Sequence, residues 1–149
     1  MIGNILVALT GLAFMAPMNY ASVNNDKVTV WSIFPVLVFT FFSHLVENHK
    51  LGSIGIPSVP HNVSIVLNWL DRLGVLIVAS RFMYIGLINW GKWQLCTDDV
   101  LLTLVTLMLG FLSEQRVDRI WYHHIPLHSM WHIMVSRNMM VFLSKMYQP

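Results

Sequence analysis

The apolar residues of this chain gather in long runs instead of recurring at the spacing of a globular core. Four runs are clear, over residues 2–20, 28–45, 63–90 and 126–143, and a shorter fifth covers 100–112. A bilayer core about 30 Å thick takes roughly 20 helical residues, with about 17 as the lower bound, so such runs predict membrane helices. The shortest reaches that length only if its helix begins near Cys96 and carries Asp98 and Asp99 at the interface. Polar breaks fall at 22–27, 47–62, 91–99 and 113–119, and the second, with Gly52, Gly55, Pro57 and Pro60, reads as a true loop. The run 63–90 corresponds to a helix of about 42 Å. It divides into a spanning part to about Ala79 and a segment from Arg81 to Trp93 that continues it or lies at the interface. Trp90 and Trp93 suit an aromatic belt. The expected fold is an all-α, multi-pass transmembrane helical bundle of five spans, six being the alternative, in a single domain over residues 1–149.

Composition agrees with that pattern. The chain is 56% hydrophobic and 11% charged, whereas soluble domains carry about 25% charged residues. A net charge of +2 without a basic stripe gives no support to a nucleic-acid partner. The single cysteine, Cys96, excludes an internal disulfide framework and a cysteine-rich metal site. The first run lacks a basic leader and a good small-x-small pattern near residues 20–23, so it reads as a first membrane helix and not as a signal peptide. Lys50, Arg116 and Arg119 on one face balance Lys27, Lys92 and Lys145 on the other, which leaves the orientation open. Asn62-Val63-Ser64 fits a glycosylation acceptor but abuts an apolar run and reads as unused.

Ionisable residues inside membrane spans are costly and therefore informative. In the second run Thr40 and His44 stand four apart, on one helix face. The third run carries Ser64, Asn68 and Asp71 at helical spacing, and the last carries His124, His128, His132 and Ser136, each four after the one before. With five spans, the second helix ends, and the third and fifth begin, on the same side. His44 then lies about 6 Å inside its helix end, Asp71 about 13 Å, and His128 and His132 at about 6 and 12 Å beyond His124. All four fall in one leaflet.

Three imidazoles and a carboxylate converging there suggest a metal. Neutral histidines are good Zn²⁺ ligands, and three of them leave a fourth position for water, whose pKa zinc lowers towards 7. In that reading His44, His128 and His132 are the metal ligands, Asp71 takes a proton from the water, and the Thr40 hydroxyl donates a hydrogen bond to a ligand or an oxyanion. Structural alternatives stand beside it. A lone buried histidine is commonly a hydrogen-bonded core residue, His-x-x-x-His recurs on helices by chance, and Asp71 beside Arg72 can form a plain ion pair. His49, His61 and His123 read as interfacial, and the methionines and aromatics as lipid-facing or packing residues.

The strings Thr40-Phe41-Phe42-Ser43-His44, Asn68-Trp69-Leu70-Asp71 and His128-Ser129-Met130-Trp131-His132 resemble the signature of the CREST superfamily of membrane hydrolases. That group includes the alkaline ceramidases, the progestin and adiponectin receptors and the GPI-remodelling enzymes. The resemblance is greatest to its post-GPI-attachment phospholipase and myomaker (transmembrane protein 8) branch. It implies a seven-helix bundle, a zinc on the three histidines and hydrolysis of an amide or acyl-ester bond in a membrane lipid, the implied partner. This chain departs from the pattern in having Thr40 where the family has serine, and about five spans where it has seven. The alternatives are a non-catalytic, receptor-like or fusion-related membrane protein with a structural metal site, and a b-type haem carrier using two of the histidines.

Overall fold

The computed structural model describes residues 2–46, 59–89, 97–114 and 121–147. Its elements are α1 (Ile2–Gly11), a single 3₁₀ turn (Leu12–Phe14), α2 (Met15–Val23), α3 (Lys27–Val46), α4 (His61–Ile88), α5 (Thr97–Glu114) and α6 (Trp121–Tyr147). No strand occurs among the described residues, so the expectation of an all-α fold holds. The run 63–90 becomes one uninterrupted helix to Ile88, and α5 begins close to where Asp98 and Asp99 required it to. Those two carboxylates sit in the first turn of α5 and complement the positive end of its dipole. Most of the expected loop, at 47–58, lies outside the described residues, as do His49, Trp90, Trp93 and most of the break at 113–119.

The 3₁₀ turn has a local cause. Pro17 has no N–H to offer the Ala13 carbonyl four residues back, and its ring crowds that carbonyl. The ladder therefore tightens at 12–14, and the Ser136 hydroxyl of α6 donates to Ala13 O at 2.6 Å. A backbone acceptor released by a proline is thus satisfied from another helix, as a buried carbonyl requires. Asn24 and Asn25 turn the chain into α3, Asn25 taking a φ of 60° that asparagine tolerates.

Stretches Asn4–Val23, Lys27–Val46 and His61–Ile88 are long and apolar enough to cross a membrane. Helix α6 has the length, at 27 residues, but its histidines, Arg137 and Lys145 dilute its apolar character. The α1–α2 rod packs on both α3 and α6, α4 lies along α3, α5 lies along α6, and α4 meets α6 only locally. Gly74 permits the α3–α4 approach, since a Cβ there would stand 2.9 Å from the backbone N and Cα of Val36. The α5–α6 seam uses three α6 residues at heptad spacing. Trp131 fills the space left by Gly110, Asn138 donates to Thr106 at 2.9 Å, and Lys145 pairs with Asp99. Seven-residue spacing keeps contacts on one seam of a long helix pair.

Phe14, Ile33, Val36, Val78 and Met139 form the apolar core. Beside them the interior holds Asn4, Thr29, Thr40, Ser43, His44, Thr106, His128, His132 and Ser136. The outside is apolar, with Leu6, Leu9, Trp31, Trp69, Leu76, Leu107 and Phe111 all exposed. Water would penalise so large an apolar exterior.

At the end of the bundle formed by the α2–α3 turn, Asp26 ties three segments together. It caps α3 by accepting the Thr29 N–H at 3.0 Å and the Thr29 hydroxyl at 2.6 Å. Arg81 of α4 pairs with it at 3.0 Å, and the Tyr147 hydroxyl of α6 donates to it at 3.0 Å. Burial by itself pushes the Asp26 carboxyl up, but the hydrogen bonds from Thr29, Tyr147 and Arg81 outweigh it and hold it below the ordinary carboxylate value. A lowered folded value means that this knot stabilises fully above the unfolded value, about 3.9, and fades as pH falls through the folded one. Thermal unfolding in detergent is therefore expected to show an acid loss of stability below about pH 4 that Asp26→Asn largely removes. Equal acid slopes for the two proteins would exclude the knot as its source.

Candidate metal centre

Helices α3 and α6 do not approach one another through their backbones, and side chains bridge the space between them. From α3, His44 points inward two residues before the helix ends. From α6, His128 and His132, one turn apart, point to meet it. All three are buried, at 4%, 4% and 0% exposure, and each offers a ring nitrogen within 4.8 Å of the others. Ring centroids stand 4.6 Å apart for His44–His128, 4.7 Å for His128–His132 and 5.3 Å for His44–His132. The sequence expectation that these three side chains converge is met, and the group could hold a metal ion.

The donor chemistry fits such an ion. His44 Nε2 and His128 Nε2 are 3.1 Å apart, and two zinc ligands at 2.0–2.1 Å with a tetrahedral angle would be about 3.3 Å apart. The same separation suits a single N–H···N bond between neutral rings. Neutral imidazole is the form of histidine that ligates metals.

Thr40 lies one helical turn before His44, is 1% exposed and donates its hydroxyl to Asp71 Oδ1 of α4. The two residues singled out beside the histidines are thus bonded to each other, and α3 carries the link from this pair to the triad. The Asp71 carboxylate is half-buried. Its sequence neighbour Arg72 is exposed and donates from Nε to Asn68 Oδ1 at 3.0 Å. Ser136, the last member of the α6 stripe, serves Ala13 and not the triad. The side chains of His123 and His124 lie outside the described residues, and His61 is exposed at the start of α4.

Helix α1, a plain span by its pattern of polar residues, also contributes to the site. Thr10 Oγ1 lies 3.1 Å from His132 Nδ1 and donates to Val7 O at 2.7 Å. Phe14, four residues on, meets the same imidazole edge-on at 5.8 Å. Gly11 abuts Thr40, whose Cγ2 would lie 3.0 Å from a Cβ placed there. A hydroxyl beside a glycine, Thr10-Gly11, was the available signal, a polar group and a close approach in one turn of an apolar helix. On the far side Trp131 packs against His128 at 5.3 Å.

No family model and no solved structure matches the chain. It is similar to an uncharacterized protein of Acanthamoeba polyphaga mimivirus, 28% identical over an alignment 151 positions long that takes in 94% of this chain and 95% of that protein.

Proposed function

We propose that the chain is a five-span integral membrane protein of the CREST kind, a zinc-dependent hydrolase of an amide or acyl-ester bond in a membrane lipid. The observation that carries this reading is the buried meeting of His44, His128 and His132 from two helices, with the Thr40–Asp71 pair one turn away. An apolar exterior around a polar interior supports the membrane setting, because the interior groups find partners within the protein and the exterior suits lipid. Successive antiparallel helices then put the end of α3 and the starts of α4 and α6 in one leaflet.

His44, His128 and His132 would hold the zinc, which supplies Lewis acidity and an acidified water at a position left open by the protein. The Thr40 hydroxyl orients Asp71 by donating to Oδ1, and the carboxylate accepts the proton from the attacking water. A lipid carbonyl reaching this depth arrives from the leaflet itself, so no aqueous path for the acyl chain is needed.

Purified protein in detergent or nanodiscs is expected to contain about one zinc per chain by elemental analysis, with iron and visible absorption at background. It should release fatty acid from at least one member of a ceramide and phospholipid panel and stop when a chelator strips the zinc. Iron with a visible spectrum would replace the reading with a haem carrier. Zinc without turnover on the panel would replace it with a non-catalytic membrane protein.

A further inference from the structure

We propose that Thr10 of α1 is the positioning residue that sets the tautomer of His132, and so makes its Nε2 the metal-binding nitrogen. The proposal rests on the metal-centre reading above for its consequence, but its geometry stands on its own. A threonine hydroxyl has one hydrogen and two acceptor lone pairs. Here the hydrogen goes to Val7 O at 2.7 Å, the shorter contact, so the oxygen presents a lone pair to His132 Nδ1 at 3.1 Å. The imidazole must then carry its proton on Nδ1, and a neutral ring protonated there has a bare lone pair on Nε2. That is the ring nitrogen not engaged by Thr10, on an imidazole whose centroid stands 4.7 Å from that of His128 and 5.3 Å from that of His44.

The surroundings lock this choice. His132 is fully buried, and the Phe14 ring lies edge-on to it, which restricts the imidazole from turning over. The Val7 carbonyl receives the hydroxyl within one turn of the same helix, so the orientation of Thr10 is built into α1 before any ligand arrives. Ligating histidines commonly donate their second ring nitrogen to a fixed acceptor, and losing that acceptor weakens metal binding by roughly 10–100-fold. The adjacent Gly11 lets α1 lie against Thr40, so the same turn of the first helix supports both the ligand and the Thr40–Asp71 pair. The first run of the chain is therefore part of the centre.

The test compares the full-length wild-type protein with Thr10→Ser and Thr10→Val, reconstituted in nanodiscs. The ¹⁵N resonances of His132 in the metal-free proteins report the tautomer directly, assigned by their loss in His132→Ala. Wild type and Thr10→Ser should show protonated Nδ1 and bare Nε2, whereas Thr10→Val, which keeps the shape and loses the acceptor, should shift towards the Nε2-protonated form. Competition with a chromophoric chelator should give zinc affinities weakened roughly 10–100-fold in Thr10→Val and close to wild type in Thr10→Ser. A wild-type His132 protonated on Nε2, or a Thr10→Val protein with unchanged tautomer and zinc affinity, would overturn the proposal. So would a Thr10→Ser protein as weak as Thr10→Val, since the methyl would then be the group that matters. Wild-type protein that shows the Nδ1 proton and binds no zinc would leave Thr10's role in place and remove the metal reading instead.

Discussion

Under the proposed zinc-hydrolase reading, His132→Ala is expected to abolish zinc binding and lipid hydrolysis together. His132 is the most enclosed of the three imidazoles, at 0% exposure, and it faces both His44 and His128. Truncation leaves two ring nitrogens to hold an ion that prefers four ligands, and three protein ligands are the usual minimum for a catalytic site. Elemental analysis should find zinc at background, and the lipid-release assay should fall to the level of chelator-treated wild type. Removing a buried ring also opens a cavity beside Phe14, so helical content and detergent unfolding must accompany the metal measurement. His132→Gln, which fills more of the space, should likewise fail to retain zinc. A folded His132→Ala protein that keeps a full zinc would mean that the ion sits elsewhere.

Asp71→Asn is expected to separate the metal from the chemistry. The amide keeps the shape of the carboxylate and can still accept the Thr40 hydroxyl at its oxygen, so the α3–α4 contact survives. What it loses is the ability to take a proton. Positioned acid–base groups contribute typically 10²–10⁴-fold, equivalent to about 3–5 kcal/mol of barrier. Zinc content should remain near wild type while the turnover rate falls by that factor. Thr40→Ala gives a smaller loss in the same direction, since the carboxylate remains but is no longer oriented. An undiminished rate in Asp71→Asn would make the carboxylate a structural partner of Thr40 and nothing more. The two variants therefore fail differently, and the comparison distinguishes a ligand from a base.

The helical character and most helix bounds follow from the lengths of the apolar runs alone. Runs as long as 28–45 and 63–90 exceed the usual length of a β-strand and lack its alternation of polar and apolar positions, so a helix is the element they predict. The candidate ligands were also legible there, since the spacing of four between Thr40 and His44 and between His128 and His132 projects each pair from one helix face. Local sequence even accounts for the 3₁₀ turn, once Pro17 is seen to leave Ala13 O without its intrahelical donor.

Which helix faces meet follows instead from the packing. Periodicity states that a side chain shares a face with its neighbours along one helix, and it is silent about the helix opposite. The convergence of His44 with His128 across a gap that the backbones do not close depends on α1 lying between α3 and α6. The roles of Thr10 and Asp26 likewise follow from contacts 122 and 55 residues away, with His132 and Arg81. A threonine within an apolar run costs little as a helix-surface residue, because its hydroxyl can bond its own backbone, so its only local mark is the neighbouring Gly11, which does not say what the hydroxyl meets. It becomes part of a site only when the packing of three helices places an imidazole at its second lone pair.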